Sequence, residues 1–287
     1  MGNNHSADSA ERREYTSGTF LSQIFMTIVG IIFVAPLVII VNYSFKTKRE
    51  LLVSNPLALP ESFYLENYVN AFKKLNLLVT YRNTLLYTVL SVIILALLCG
   101  ASAWAIARCK KGFFKFSYVY FLIGILIPYQ ALFLPIYIIG YKMGLVNQGY
   151  GIILMYIATG MSFGVFLMTS FMNTVPIELE EAARIDGCSI YRTYFSIVMP
   201  LLKPAMATLV IMQAFQIWND YLMANLYISN KEMKTLTVSI QQLFNAQASD
   251  YSTASAAIVL SVLPVAILFI SLQKYFIKGM TVGAVKG

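Results

Sequence analysis

Long apolar stretches without a charged residue recur along this chain. A charged side chain at the centre of a bilayer costs about 2.5–3.5 kcal/mol on insertion scales, so the gaps between charges locate membrane spans. Six gaps approach or exceed the roughly 20 residues that a spanning helix needs. They separate Glu14 from Lys46, Arg82 from Arg108, Lys115 from Lys142, Lys142 from Glu178, Lys203 from Asp220, and Asp250 from Lys274.

These gaps predict an all-α integral membrane protein with six transmembrane helices. The fifth gap is the shortest, because Asp220 follows Lys203 by 17 residues, about 25 Å along a helix. The first span is too long for the apolar part of a signal peptide and lacks a small-residue cleavage site, so it is expected to be retained. The spans are placed near residues 19–44, 83–107, 117–140, 151–172, 204–226 and 253–273.

The composition agrees with lipid as the solvent for most of the chain. Of the 287 residues, 58% are hydrophobic and only 12% are charged, whereas a soluble domain carries about 25% charged residues. The net charge of +8 in so apolar a chain indicates loops that face anionic lipid, and nucleic acid is not an expected partner.

The positions of the basic residues favour an orientation. Six spans put both termini on one side, and placing them inside leaves 12 of the 21 Lys and Arg in the cytoplasm. The opposing evidence is the first outside loop, 46–82, which holds six of the other nine. We therefore expect a multi-pass protein of the plasma membrane. Its parts are a cytoplasmic tail over 1–18, a transmembrane domain over 19–273 and a cytoplasmic tail over 274–287.

Residue types that catalysis or metal binding requires are sparse. The three cysteines, Cys99, Cys109 and Cys188, have no CxxC spacing, and the single histidine, His5, lies in the polar N-terminal tail. No cluster of His, Asp, Glu or Cys falls within the spans. The sequence predicts no catalytic residue and no metal site, and a membrane-embedded enzyme is disfavoured.

Residues 173–203, between spans four and five, carry a helical pattern instead of a short polar connection. Pro176 and the glutamates that follow it suit a first helical turn. Asp186 and Gly187 predict a sharp break, because Gly accepts positive φ. A second amphipathic stretch then continues to Pro200. The pattern predicts a compact helix–turn–helix unit that another protein can bind.

This loop resembles the EAA loop of ABC importer permeases. The resemblance rests on EAARIDG at 181–187, followed by Phe195, Ile197, Pro200 and Pro204. More narrowly, the chain from about residue 19 to its end is similar to the smaller permease subunit of the maltose-type sugar importers. The segments that carry this likeness are WNDY at 218–221, IPYQ at 127–130, MGLVNQGYG at 143–151 and QKYFIKGMTVGAVKG at 273–287.

The resemblance implies a type I ABC importer permease, in which a cytoplasmic coupling helix docks into an ATPase subunit. The implied ATPase-coupling residues are Glu181, Ala182, Ala183, Arg184, Asp186, Gly187 and Pro200. The resemblance also implies a C-terminal tail that reaches the ATPase through Lys278, Gly279, Val285 and Lys286, and we favour this over the alternative of a frayed basic end near lipid headgroups.

The energy source is expected in other chains. No GxxxxGK[ST] motif occurs, so this chain offers no phosphate-binding loop and is expected to hold no cofactor. The resemblance implies that two cytoplasmic ATPase subunits bind ATP and Mg. It also implies a second homologous permease subunit and an extracellular solute-binding protein that delivers a sugar, most simply an oligosaccharide.

Polar residues in the predicted spans are candidates for the solute pathway. Gln213, Gln216 and Asp220 fall at i, i+3 and i+7, one face of a helix. Asn219 and Gln130 are further candidates. The same groups suit hydrogen bonds between neighbouring helices, so both interpretations stay open. A rival function is a secondary transporter driven by ions, but such proteins normally use ionisable groups within their spans, and these span interiors hold none.

Overall fold

The computed structural model describes residues 17–109, 111–245 and 250–284, with side chains over 20–109, 111–244 and 250–271. Most of the chain in these ranges is helical, and they contain no strand. Two 3₁₀ turns, Tyr129–Leu132 and Lys231–Met233, and one π-helical turn, Tyr194–Val198, lie between α-helices. The α-helices are α1 (Ser17–Ser44), α2 (Lys48–Val53), α3 (Glu66–Lys74), α4 (Leu77–Arg108), α5 (Gly112–Leu126), α6 (Phe133–Lys142), α7 (Gly149–Met172), α8 (Glu178–Ile185), α9 (Ile190–Thr193), α10 (Met199–Leu201), α11 (Lys203–Trp218), α12 (Leu222–Tyr227), α13 (Leu236–Asn245) and α14 (Tyr251–Ala284).

The expected all-α membrane fold is confirmed. Within the described ranges, α1, α4, α7 and α14 are long and apolar enough to cross a membrane. Two pairs of shorter helices pass the same test together but are bent. The pair Gly112–Leu126 and Tyr129–Lys142 is bent by 100°, and the pair Ile190–Leu201 and Lys203–Trp218 by 73°. The number of spans reaches six if each bent pair crosses once.

Span three differs from the continuous helix expected over 117–140. Helix α5 ends before Ile127, whose φ of −79° and ψ of 122° are extended. Pro128 follows; its ring disfavours helical geometry at the preceding residue, and it has no N–H to donate. Pro36 and Pro264, by contrast, lie inside the continuous helices α1 and α14. A proline within a span therefore does not by itself predict a break.

Span five is also shorter than the 204–226 expected from the charge gap. Helix α11 ends at Trp218 and a new helix, α12, begins at Leu222. The Asp220 carboxylate lies at this junction and accepts hydrogen bonds from the backbone N–H groups of Met223 and Ala224, at 3.3 and 2.9 Å. An acidic group that bonds the first N–H groups of a helix stabilises a start there, so Asp220 separates the two helices.

Helices α4 and α7 pack closely at the centre of the bundle. A Cβ atom on Gly164 of α7 would lie 2.4 Å from Cys99 Sγ, and one on Gly160 would lie 2.7 Å from Leu95 Cδ2. Small residues four apart let the two backbones approach, as membrane helices require in the absence of a hydrophobic driving force between them. Leu95 and Cys99 are fully buried in this contact.

The 32-residue helix α4 connects the two ends of the bundle. At one end Arg108 contacts residues of the 173–203 loop. At the other, Asn83 Nδ2 donates to Glu232 O at 2.7 Å and Tyr87 Oη donates to Met233 O at 3.1 Å. We name the end that holds 173–203 the α8 end and the end that holds 228–236 the α13 end.

The first loop, 46–82, is folded against the α13 end. Lys46 is fully buried and donates from Nζ to Ser54 Oγ and to the carbonyl of Asn55, both at 3.2 Å. Asp250, at the start of α14, accepts from Lys74 Nζ at 2.7 Å and lies 3.2 Å from Lys48 Nζ. Several of the loop's basic residues are thus held in internal contacts of the folded chain.

Candidate functional site

The loop over 173–203, which we call the α8 loop, folds as its pattern predicts. Helix α8 begins at Glu178 with three acidic residues in its first turn, which suits the positive end of a helix dipole. Gly187 has a φ of +77°, a conformation that glycine adopts without strain, and its N–H donates to the carbonyl of Arg184. Ser189 then caps α9 by accepting from the N–H of Arg192 at 3.3 Å. The predicted helix, sharp turn and helix are confirmed.

Most of the predicted docking residues lie on the exposed surface of this loop. Glu181, Ala182, Arg184, Asp186, Gly187 and Pro200 are exposed, whereas Ala183 is buried. Large apolar side chains are exposed beside them: Ile185 is 86% exposed, Tyr191 75% and Ile190 66%. A surface of apolar side chains mixed with charges is typical of a contact with another protein.

A cavity of about 570 Å³ lies where span three is broken. The break itself contributes Ile127, Pro128 and Tyr129, α7 contributes Thr159 and Ser162, and α11 contributes Gln213 and Gln216. No charged residue of the described ranges lines it. Most of the lining is apolar, and a few hydroxyls, amides and aromatic rings interrupt it. An apolar cavity with a small number of uncharged polar groups suits an uncharged solute that carries hydroxyls.

The structure brings together only some of the predicted pathway residues. Gln213 and Gln216 line the cavity. Gln130 is exposed on the 3₁₀ turn, and Asn219, the first residue after α11, donates to the carbonyl of Phe215 in that helix. Asp220 caps α12, as described above. Because α11 ends at Trp218, the helical spacing that grouped Asp220 with the two glutamines no longer holds beyond that residue.

Hydrogen bonds hold helix α12 beside the cavity. Tyr156 Oη on α7 donates to Asp220 Oδ2 at 2.9 Å, and Tyr227 Oη donates to the carbonyl of Ile136 at 2.9 Å. Asn147, with a φ of +59°, accepts at Oδ1 from two successive backbone N–H groups of the 228–236 segment. These bonds join α6, α7 and α12 around the α13 end of the cavity.

The predicted tail contacts lie at the limit of the described chain. Lys278 and Gly279 belong to the backbone of α14, but their side-chain surroundings are not among those described. Val285 and Lys286 lie outside the described residues, as does most of the predicted N-terminal tail. Within the described residues no group of three or more His, Cys, Asp or Glu side chains could hold a metal ion.

The family comparison decides the class of protein. Residues 93–282, about two thirds of the chain, match the family described as the binding-protein-dependent transport system inner membrane component. The chain belongs to this family. Its residues beyond 93 contain both the α8 loop and the cavity, so both sites lie in the part of the permease that defines the family.

Sequence similarity to individual relatives covers more of the permease than the family match does. The probable starch degradation products transport system permease protein AmyC of Thermoanaerobacterium thermosulfurigenes is 36% identical over 90% of this chain and 94% of its own. The melibiose/raffinose/stachyose import permease protein MelC of Bacillus subtilis is 34% identical over 88% of this chain and 91% of its own.

Solved structures support the fold. A chain of a bacterial ABC transporter involved in the import of the acidic polysaccharide alginate superposes with a TM-score of 0.80, covering 91% of this permease and 99% of that chain. Their sequence identity is 22%. A chain of a bacterial alginate ABC transporter in complex with an alginate pentasaccharide-bound periplasmic protein gives 0.66 at 14% identity. At these identities the likeness concerns the fold of the permease alone.

Three groups of residues at these sites were not predicted from the sequence. Tyr129 enters the cavity only because span three is broken. Ile185 and Tyr191 are apolar residues that the amphipathic pattern alone would bury. Trp104, Arg108 and Glu180 meet across more than 70 residues of sequence. The proline at 128 and the high apolar content of the loop are the only local signals for any of them.

Proposed function

We propose that this permease is the membrane-spanning subunit of an ATP-driven, binding-protein-dependent importer of a neutral oligosaccharide. It moves the solute by alternating access and catalyses no covalent reaction. The observation that carries the proposal is the pairing, in one family member, of an exposed helix–turn–helix loop with an uncharged cavity whose mainly apolar lining includes hydroxyl and amide groups.

The chemistry of the cavity supports a neutral solute. Gln213, Gln216, Thr159 and Ser162 supply donors and acceptors, and Tyr129 supplies an aromatic ring. An acidic oligosaccharide would lose its hydration here without a Lys or Arg to pair with, which is costly in a low dielectric. The relatives are named for starch degradation products and for melibiose, raffinose and stachyose, and these names agree with such a solute.

The exposed surface of the α8 loop supports a cytoplasmic partner. Glu181, Arg184 and Asp186 provide charged hydrogen-bonding groups, and Ile185 and Tyr191 provide apolar area that a partner would remove from water. We assign this surface to ATPase subunits that bind ATP and Mg, two per transporter. The C-terminal residues Lys278, Gly279, Val285 and Lys286 are proposed as a second contact with them.

The α8 end is accordingly proposed to face the cytoplasm, with both termini on that side and the α13 end outside. The outside face would meet an extracellular solute-binding protein. A second homologous permease completes the pathway, since one chain leaves the cavity open on one side. Helix α1 is left largely uncovered in the single chain, with Phe33 77% exposed and Met26 69% exposed, and is available to lipid and to that second permease.

Uptake in a strain that carries the complete transporter and lacks only this chain tests the proposal. Plasmid-borne wild type should restore accumulation of labelled maltotriose or raffinose, with little accumulation of an alginate trisaccharide. Preferential uptake of the acidic sugar would contradict the assignment of the solute. Uptake that stops when the proton gradient is collapsed at constant ATP would instead support an ion-coupled secondary transporter.

A further inference from the structure

The α8 loop is attached to α4 by a buried carboxylate. Of the four carboxylates in the loop, all of them within the described residues, Glu180 alone is buried, with 6% of its side chain exposed. Its Oε2 accepts from Trp104 Nε1 and its Oε1 from Arg108 Nε, both at 2.8 Å. Arg108 also donates from Nη2 to the carbonyl of Val175 at 2.7 Å. We call Trp104, Arg108 and Glu180 the α4 clamp.

A second contact lies one turn further along α4. Tyr194 packs its ring 5.2 Å from that of Trp104, and its hydroxyl lies where a Cβ on Gly100 would be 2.7 Å away. Gly100, Trp104 and Arg108 are spaced at i, i+4 and i+8, so they form one stripe on α4. Both halves of the loop, before and after Gly187, are therefore held on the same stripe.

The connection from the loop to α11 contains an irregular turn and a bend. Tyr194–Val198 forms a π-helical turn, and the helix that contains it meets α11 at a bend of 73°. Both features interrupt the regular helix between the loop and α11. A displacement of the loop would therefore act on α4 directly through charged hydrogen bonds, whereas no continuous α-helix connects the loop to α11.

We propose that the stripe on α4 receives the motion of the coupling loop, and that Trp104, Arg108 and Glu180 are positioning residues for this step. Because α4 packs closely on α7 and runs to the 228–236 segment at the α13 end, displacement at Arg108 would reach both sides of the membrane as a rigid-body movement. The proposal rests on the proposed function, since it requires a partner that moves the loop.

The complete transporter in liposomes, with its partner permease, ATPase subunits and binding protein, provides the test. The number of maltotriose molecules imported per ATP hydrolysed is the readout, because a contact needed only for folding would lower both quantities together. Arg108→Gln, which removes the cation from Glu180, should lower this ratio at least tenfold while ATP hydrolysis continues. Arg108→Lys, which keeps a cation, should recover at least half of the wild-type ratio.

Lys115→Gln is the matched control, because Lys115 is an exposed cation on α5 near the same end of the bundle. It should leave the ratio unchanged. A wild-type ratio in assembled Arg108→Gln would overturn the proposal. If that variant does not assemble, Trp104→Phe decides, since it keeps a ring beside Tyr194 and removes one hydrogen bond. A threefold fall supports the clamp, and a wild-type ratio overturns it.

Failure of the proposed function would give a different result. In that case the wild-type transporter would hydrolyse ATP without importing maltotriose, or would import it without hydrolysis, before any variant was compared. Import by the wild type together with an unchanged ratio in every clamp variant would leave the function in place and remove only the role of the stripe.

Discussion

Tyr156 Oη donates to Asp220 Oδ2 at 2.9 Å, and this bond joins the middle of the bundle to the start of α12. Tyr156 is buried, so if its hydroxyl were removed, water could not easily take its place as a hydrogen-bond donor to the Asp220 carboxylate. Hydrogen bonds to charged groups contribute about 1.5–3 kcal/mol. Tyr156→Phe should lower the stability of the detergent-solubilised protein by about that amount, measured as a fall in its thermal midpoint. Tyr141→Phe, which removes an exposed hydroxyl, should leave the midpoint unchanged, and equal shifts in both would refute a special role for the bond.

Gly100 and Tyr194 form a pair that can be tested by compensation. In Gly100→Ala the new methyl group would lie 2.7 Å from Tyr194 Oη, and overpacking of this kind costs about 1–3 kcal/mol. Tyr194→Phe removes the hydroxyl, which has no hydrogen-bond partner among the described residues. The double variant should regain most of the thermal midpoint lost in Gly100→Ala. Additive losses in the double variant would show that the two residues are not in contact.

Gln216 lines the cavity and is expected to act on transport more than on assembly. Gln216→Leu removes a donor and an acceptor from the pathway, and uptake should fall roughly tenfold, the effect of about 1.4 kcal/mol. Gln23→Leu makes the same change on the exposed surface of α1, away from the cavity, and should retain uptake. Wild-type uptake by a correctly inserted Gln216→Leu protein would assign this side chain to helix packing.

Gly187 should tolerate proline poorly, whereas Gly112 should accept it. Gly187 has a φ of +77° and donates its N–H to Arg184, and proline can supply neither feature. Gly112 is the first residue of α5 and follows the extended Lys111, a position where proline is favoured. Uptake should be abolished by Gly187→Pro and kept by Gly112→Pro, with both proteins present in the membrane. Loss of uptake in both variants would mean that the turn at Gly187 has no special role.

Acidification should weaken the anchoring of α14 through Asp250. Burial raises the pKa of this carboxyl, but hydrogen bonds from Lys74, Thr253 and Lys48 outweigh it and lower the pKa below its ordinary value. The stabilisation is complete above the ordinary Asp pKa of about 3.9. It is lost as the pH falls through the lowered value in the folded protein. Because both lysines are about half exposed or more, the loss should be only about 0.5–1 kcal/mol.

Thermal midpoints across pH 2–6 measure this loss. In Asp250→Asn the thermal midpoint should fall less on acidification than in the wild type, because the contribution of Asp250 is missing. Glu61→Gln, which changes an exposed residue at the same end of the bundle, should keep the pH dependence of the wild type. An identical pH dependence in wild type and Asp250→Asn would contradict the effect.

The sequence was sufficient for features that depend on local chemistry. The charge-free gaps predicted the four continuous helices α1, α4, α7 and α14, because the cost of a buried charge does not depend on the fold. Asp186 and Gly187 predicted the turn, because backbone conformation there is a property of the residues themselves. The break at Ile127 was not predicted, since Pro36 and Pro264 show that a membrane helix can also continue through proline.

The rest required knowledge of contacts distant in sequence. Asp220 was grouped with Gln213 by helical spacing, but that spacing holds only while the helix continues, and α11 ends at Trp218. Glu180 looked like one more acidic residue in a helical first turn. Its pairing with Trp104 and Arg108 depends on how α4 and α8 are brought together, and a single sequence carries no record of that.

The packing of α1 against α14 has a consequence for how the protein is made. Among the described spans, α1 precedes all the others along the chain and α14 follows them, and α3 and α11 also pack on α14. Helix α1 is therefore synthesised long before the helix it packs against, and this part of the bundle can close only after α14 has been inserted. A chain truncated before α14 would leave the faces of α1, α3 and α11 that pack on it uncovered.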